Sequence, residues 1–301
     1  MSFFLAGIIV LLLFLVSAAF VILILGPLIL LQPHRRKKEW YARFTTLLEP
    51  RVEGIPQEDL WLTTPDGVRL HSWLVSRTNA KGTVIYLHGV GDCKIGGVPL
   101  AAFLYSKGYN VFLYDSRHHG ESGGKYCTYG FYEKHDVSTA IDYLQQRADV
   151  RIGKVAVFGT SMGAAVAIQA AAIDVRISGV IAEASFTTLR SIAVDYQRRL
   201  IKLPWHFLRN VALARSQKVA GFKARLVAPI EDVKQIQCPI LFVHGLEDTF
   251  IDVQYSKQLF EAAPVRKQLL LISGANHNDV WEKGGKLYEH NLSAFLESCL
   301  G

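Results

Sequence analysis

The sequence predicts an α/β domain, a mostly parallel central sheet with helices on both faces, behind an N-terminal transmembrane helix. Three observations predict it. Half of the 301 residues are hydrophobic and 20% are charged, which supplies a sizeable core and excludes disordered, collagenous and disulfide-scaffold chains. Short apolar runs alternate with helical patterns over most of the length, the mark of successive βαβ units. One long run at the N-terminus, Phe3 to Leu31, contains no Asp, Glu, Lys, Arg or His in 29 residues. At roughly 100 to 200 residues per domain, the chain holds one large or two ordinary domains.

The first element is the apolar run, long enough at about 1.5 Å per residue to cross a hydrocarbon core of roughly 30 Å. Residues 1–33 are read as an anchor, with a break or bend at Gly26-Pro27. A cleaved signal peptide is the rival reading, since Ser17-Ala18-Ala19 could be processed, but no basic residue precedes the run and it is about twice a usual signal core. Arg35, Arg36, Lys37 and Lys38 follow it, so the positive-inside rule puts the C-terminal bulk in the cytoplasm of a single-pass protein. Removing Met1 to Leu31 should free the protein from membranes with its chemistry intact. Residues 34–59 form a basic connector broken by Pro50 and Pro56.

Residues 60–301 carry the α/β pattern. Strands are predicted over Arg69–Val75, Thr83–His88, Val111–Asp115, Val155–Gly159, Val180–Glu183, Ile240–Gly245 and Gln268–Ile272. Helices are predicted near 98–107, 134–147, 162–173, 254–263 and 284–299. Phe186 to Pro229 departs from the alternation: it has no strand-like run and holds nine Lys/Arg against the single acid Asp195. That local excess is larger than the +7 of the whole chain. Cys93, Cys127, Cys238 and Cys299 are widely spaced and show no zinc pattern with histidine, so they are read as buried, reduced thiols. No metal and no cofactor is expected.

Gly159-Thr160-Ser161-Met162-Gly163 follows an apolar strand and opens an Ala-rich helix. That is the setting of a nucleophile elbow, where a serine sits on a sharp strand-to-helix turn and flanking glycines leave room for it. A serine needs a positioned base, and the base needs an orienting acid. Asp248 follows the strand Ile240–Gly245, whose end would deliver its carboxylate to the same sheet edge as Ser161; Asp252 is held in reserve. His277, in the loop after Gln268–Ile272, is the base. Attack creates an oxyanion that needs backbone donors, and these are the N–H groups of Met162 and of Val90 in His88-Gly89-Val90-Gly91. His88 itself is read as a brace for that loop.

Together with Tyr114 through Gly124, Pro239 through Asp248 and Gly274 through His277, these segments resemble the α/β-hydrolase superfamily over about Leu60 to Leu300. They look closest to its membrane-anchored, Bem46-like or ABHD-type branch. The resemblance implies Ser161 as nucleophile, His277 as general acid and base, Asp248 as orienting acid, and Val90 and Met162 as oxyanion donors. One departure stands out: His118 occupies the place of the first glycine in the family's Arg-Gly-His/Tyr-Gly pattern. By the same resemblance, residues 186–229 form a cap above the nucleophile.

The basic residues of that cap alternate with Leu200, Ile201, Leu203, Trp205, Phe207, Leu208 and Val211. The mixture suits an anionic membrane surface and suits equally a packed cap with solvated charges. No nucleic-acid motif accompanies the basic stripe. The function predicted is hydrolysis of a carboxylic ester or thioester, carrying a lipid acyl group, through an acyl-enzyme. A serine peptidase, an acyltransferase and a non-catalytic membrane scaffold are the alternatives on the same fold.

Overall fold

The computed structural model describes residues 2–200 and 206–301. Ile201, Leu203 and Trp205 of the apolar-basic alternation lie outside the described residues. The chain begins with α1 (Ser2–Phe20), continues through a π-helical stretch at Val21–Leu25 and ends this run with α2 (Gly26–Leu31). The expected break at Gly26-Pro27 is absorbed without leaving the helix. Proline has no N–H to give, and the ladder lengthens so that the Gly26 N–H donates to Val21 O, five residues back. Most of the run is exposed, but Pro27 and Leu31 are buried. The run thus ends inside the protein.

The connector holds α3 (Lys38–Tyr41), and a first strand, β1 (Glu58–Thr63), precedes β2 (Arg69–Val75). Then come β3 (Thr83–Leu87), α4 (Val98–Ser106), β4 (Asn110–Tyr114), α5 (Glu133–Gln145), β5 (Val155–Thr160), α6 (Met162–Ala171) and β6 (Ile177–Glu183). The chain leaves the sheet for α7 (Leu189–Leu200), α8 (His206–Ala220) and α9 (Pro229–Asp232). It returns for β7 (Ile240–Gly245), α10 (Val253–Ala262), β8 (Lys267–Ile272) and α11 (Val280–Leu300). The strands expected from the apolar runs are all present. β6 starts earlier than its apolar run, because Ser178 and Gly179 interrupt the pattern. Gly179 lets α11 pack closely there, as a Cβ would come 3.0 Å from Cys299 Sγ.

Among the described residues the strands form one sheet of eight, in the order β1-β2-β4-β3-β5-β6-β7-β8. Only β2 runs against its neighbours, pairing antiparallel with both β1 and β4; β3 to β8 are parallel. One face is covered by α5, α6 and α10, the other by α4 and α11, and each face has its own apolar core. The strands buried on both sides are therefore continuous apolar runs. The order reverses at β3, between β4 and β5, which opens a crevice beyond the carboxyl ends of β3 and β5. The candidate site lies there.

Candidate active site

The site begins with a close approach. A Cβ on Gly159 would come 2.1 Å from Gly163 O, and one on Gly163 would come 2.1 Å from Leu87 O. Only glycine at both positions lets α6, whose ten residues are all buried, sit this near the sheet. Between them Ser161 takes φ 54° and ψ −114°, the strained, positive-φ geometry of an elbow. Its N–H donates to Glu183 O at 2.8 Å, tying the turn to the end of β6. Ser161 is 8% exposed.

Asp248 and His277 come from the loops after β7 and β8, two and three strands from the elbow and at the same sheet edge. His277 Nδ1 donates to Asp248 Oδ2 at 2.7 Å. The two loops are sewn together: a Cβ on Gly245 would strike Ala275 O at 2.3 Å, and Asn276 Oδ1 accepts from the N–H of Thr249 at 3.2 Å and of His277 at 2.7 Å. The other carboxylate oxygen, Asp248 Oδ1, accepts from the N–H of Phe250 and Ile251. Burial opposes charge on Asp248, but hydrogen bonds from His244 and His277 outweigh it and hold the carboxyl below the usual carboxylate range.

His244 is a partner that the sequence did not disclose. It is fully buried; Ser256 Oγ lies 2.7 Å from its Nδ1, and its Nε2 faces both Ile251 O at 3.0 Å and Asp248 Oδ2 at 3.2 Å. Two acceptors before Nε2 put the proton there, so Asp248 is gripped by two imidazoles. Asp252 stands apart from both. Its Oδ1 accepts from the Gln254 N–H at 2.9 Å, capping α10.

The loop after β3 reaches Ser161, since a Cβ on Gly89 would sit 3.4 Å from Ser161 Cβ. Among the described residues, neither the Val90 nor the Met162 N–H has a hydrogen-bond partner. His88 braces this loop as the sequence suggested: its Nε2 accepts from the Ser116 N–H at 2.9 Å, which leaves Nδ1 to donate to Gly89 O at 2.8 Å. His118, in place of the expected glycine, takes φ 62°, so the backbone keeps the left-handed turn that glycine adopts freely. Ser161 Oγ has no hydrogen-bond partner among the described residues, so the expected contact with His277 is not closed in this state.

A cavity of about 220 Å³ lies beside His277, walled by Tyr86, Thr160, Glu183, Trp281 and Tyr288 among others. Glu183 accepts a 2.6 Å hydrogen bond from Tyr288 Oη, and burial raises its pKa against that bond. Phe250 lies over the histidine, ring centres 5.5 Å apart. From α7, Arg199 donates to Phe250 O at 2.8 Å and stacks on its ring. The helices inserted between β6 and β7 are thereby fastened to the loop that carries Asp248. All four cysteines are buried and unpaired; burial pushes the Cys93 and Cys238 thiols up to about 12.

A family model described as Hydrolase_4, serine aminopeptidase S33, matches residues 78–226. The chain is 28% identical over 234 residues to the uncharacterized protein YqkD of Bacillus subtilis, covering 77% of this chain and 76% of that one. It is also 28% identical over 258 residues to the α/β-hydrolase domain-containing protein WAV2 of Arabidopsis thaliana, covering 83% and 82%. The solved structure of esterase Pf2001 from Pyrococcus furiosus superposes with a TM-score of 0.70 at 25% identity, covering 84% of this chain and 96% of that one. The chain has the α/β-hydrolase fold, and these likenesses support its place in that superfamily as a hydrolase.

Proposed function

We propose that the protein is a membrane-anchored serine hydrolase, of the Bem46-like kind, that cleaves carboxylic esters or thioesters of acyl groups through an acyl-enzyme. The observation that carries the reading is the Asp248–His277 pair at 2.7 Å, at the sheet edge where Ser161 stands in a positive-φ elbow. With Nδ1–H committed to Asp248, Nε2 is the base. It takes the proton of Ser161 Oγ as that oxygen attacks the acyl carbon, and it then protonates the leaving alcohol or thiol. Water repeats the sequence and frees the acid. Val90 and Met162 N–H receive the oxyanion, a donor pair of which each member contributes about 3 kcal/mol or more in comparable sites. The Ser161–His277 contact closes when substrate is bound, as resting relays are often long. No cofactor takes part.

The cavity at about 220 Å³ is smaller than the roughly 300 to 1,000 Å³ of pockets for drug-sized ligands. Its walls include His277 but neither Ser161 nor any residue of the inserted helices, so it offers room for only a compact group on that side of the histidine. Phe3–Leu31 meets the length and hydropathy of a membrane span, and the Arg35–Lys38 cluster favours a catalytic domain on the cytoplasmic side. A bilayer then presents acyl chains at high local concentration.

A second reading, aminopeptidase activity, is favoured by the description of the matching family. Turnover of p-nitrophenyl acyl esters against aminoacyl p-nitroanilides separates the two. Ester turnover with negligible anilide turnover supports the esterase; the reverse ranking overturns it in favour of the peptidase.

A further inference from the structure

The segment joining the apolar helix to the domain is not a free linker. Leu31 O accepts from the Cys127 N–H at 2.8 Å, Leu30 O from Tyr129 Oη at 2.9 Å, and Gln32 Nε2 donates to Lys125 O. Arg36 N–H donates to Gly91 O at 3.2 Å, and a Cβ on Gly91 would stand 3.2 Å from His34 O. One nitrogen of the Arg35 guanidinium, Nη2, gathers three carbonyls: Gly120 at 2.8 Å, Ser122 at 2.6 Å and His119 at 3.3 Å. Upstream, α2 packs on α8 so closely that a Cβ on Gly26 would come 3.1 Å from Ala212 Cβ.

Two of these contacts touch the oxyanion loop directly, and those of Arg35 reach it through the neighbouring loop. Gly91 is bonded to Arg36, Gly89 lies against Ser161, and Val90 is the residue between them. The loop 115–124 that Arg35 gathers is itself joined to the oxyanion loop through Ser116 N–H and His88. An oxyanion donor displaced by a fraction of an ångström loses transition-state stabilisation, and the substrate ground state is scarcely affected.

We propose that Arg35 is a positioning residue for the oxyanion loop, and that the docked end of the membrane helix is thereby a working part of the active site. This rests on the serine-hydrolase reading above. The position of the bilayer helix is read at the nucleophile within a few residues of chain, so catalysis depends on α2 staying seated on α8.

The test uses the full-length protein in detergent, p-nitrophenyl acetate as substrate, and a fluorophosphonate to titrate reactive Ser161. Arg35→Ala should lower kcat by about ten-fold or more with KM held within about two-fold. Arg35→Lys should restore much of the loss, because the three carbonyls need only one cationic nitrogen. Gly26→Leu, which leaves Arg35 intact but drives α2 from α8, should lower kcat in the same way. The proposal is overturned if Arg35→Ala keeps kcat within about two-fold of the parent. It is also overturned if kcat and KM fail together, Lys gives no recovery, and the unfolding temperature drops in step. A parent protein that neither labels nor turns over the ester instead removes the hydrolase reading, and the proposal with it.

Discussion

Asp248 is shared by two imidazoles, and that sharing sets what single substitutions should do. On the proposed relay, Ser161→Ala and His277→Ala should each cost on the order of 10⁶ in kcat, with the double variant little worse, as for groups that act as a unit. Asp248→Asn should cost on the order of 10⁴, because the histidine loses the partner that fixes its tautomer. Asp252→Ala should leave kcat within about two-fold and cost about 1 kcal/mol of stability as a lost helix cap; a larger kcat loss there than at Asp248 would exchange their roles. The Asp248 carboxyl is depressed in the folded state, so its stabilisation is full above the ordinary Asp value of about 3.9 and is lost as pH falls toward the folded value. The gap in unfolding temperature between the parent and Asp248→Asn should therefore narrow below about pH 4. A gap that widens toward acid contradicts the assignment. The placement of Ser161, Asp248 and His277 at one sheet edge was legible because each follows an apolar strand. The second grip from His244 was not, since it depends on how the turn after β7 folds back.

At the scale of elements, the elbow is a packing result before it is a chemical one. Gly163→Ala puts a methyl 2.1 Å from Leu87 O, a clash with backbone that cannot rotate away. It should destabilise the protein by about 1 to 3 kcal/mol and displace Ser161, read by urea unfolding together with kcat. The parallel strands were readable from their apolar runs. β1 was not: its run opens with Glu58 and Asp59, and most of its residues are exposed, so it carries neither continuous burial nor a clean alternation. The first turn of α11 was hidden by Gly284-Gly285: Gly285, at φ 45° and ψ −128°, is not helical and breaks α11 into two helices, and the pattern became regular only beyond it. The contacts of Arg35 span 84 to 87 residues, and no local pattern signals such a meeting.

For the whole molecule, the apolar run divides into an exposed length and a docked end. Phe3 to Phe20 covers roughly 27 Å at about 1.5 Å per residue, close to the roughly 30 Å of a hydrocarbon core, while Val21–Leu31 stays against α8. This corrects the expectation that Met1 to Leu31 can be removed with the chemistry intact: Leu31 is wholly buried and its carbonyl bonds to Cys127. Deleting residues 1–20 should release a folded protein from membranes, whereas deleting residues 1–31 should cost about 3 kcal/mol or more as core packing is lost. Equal unfolding midpoints for the two truncations would show that α2 is dispensable.

Reaction with a fluorophosphonate, followed by peptide mass spectrometry, addresses the relay most directly. One phosphonyl group per chain on Ser161, with labelling slowed by orders of magnitude in folded His277→Ala, is the predicted result. A folded parent protein that stays unlabelled, or labels equally fast without His277, contradicts it.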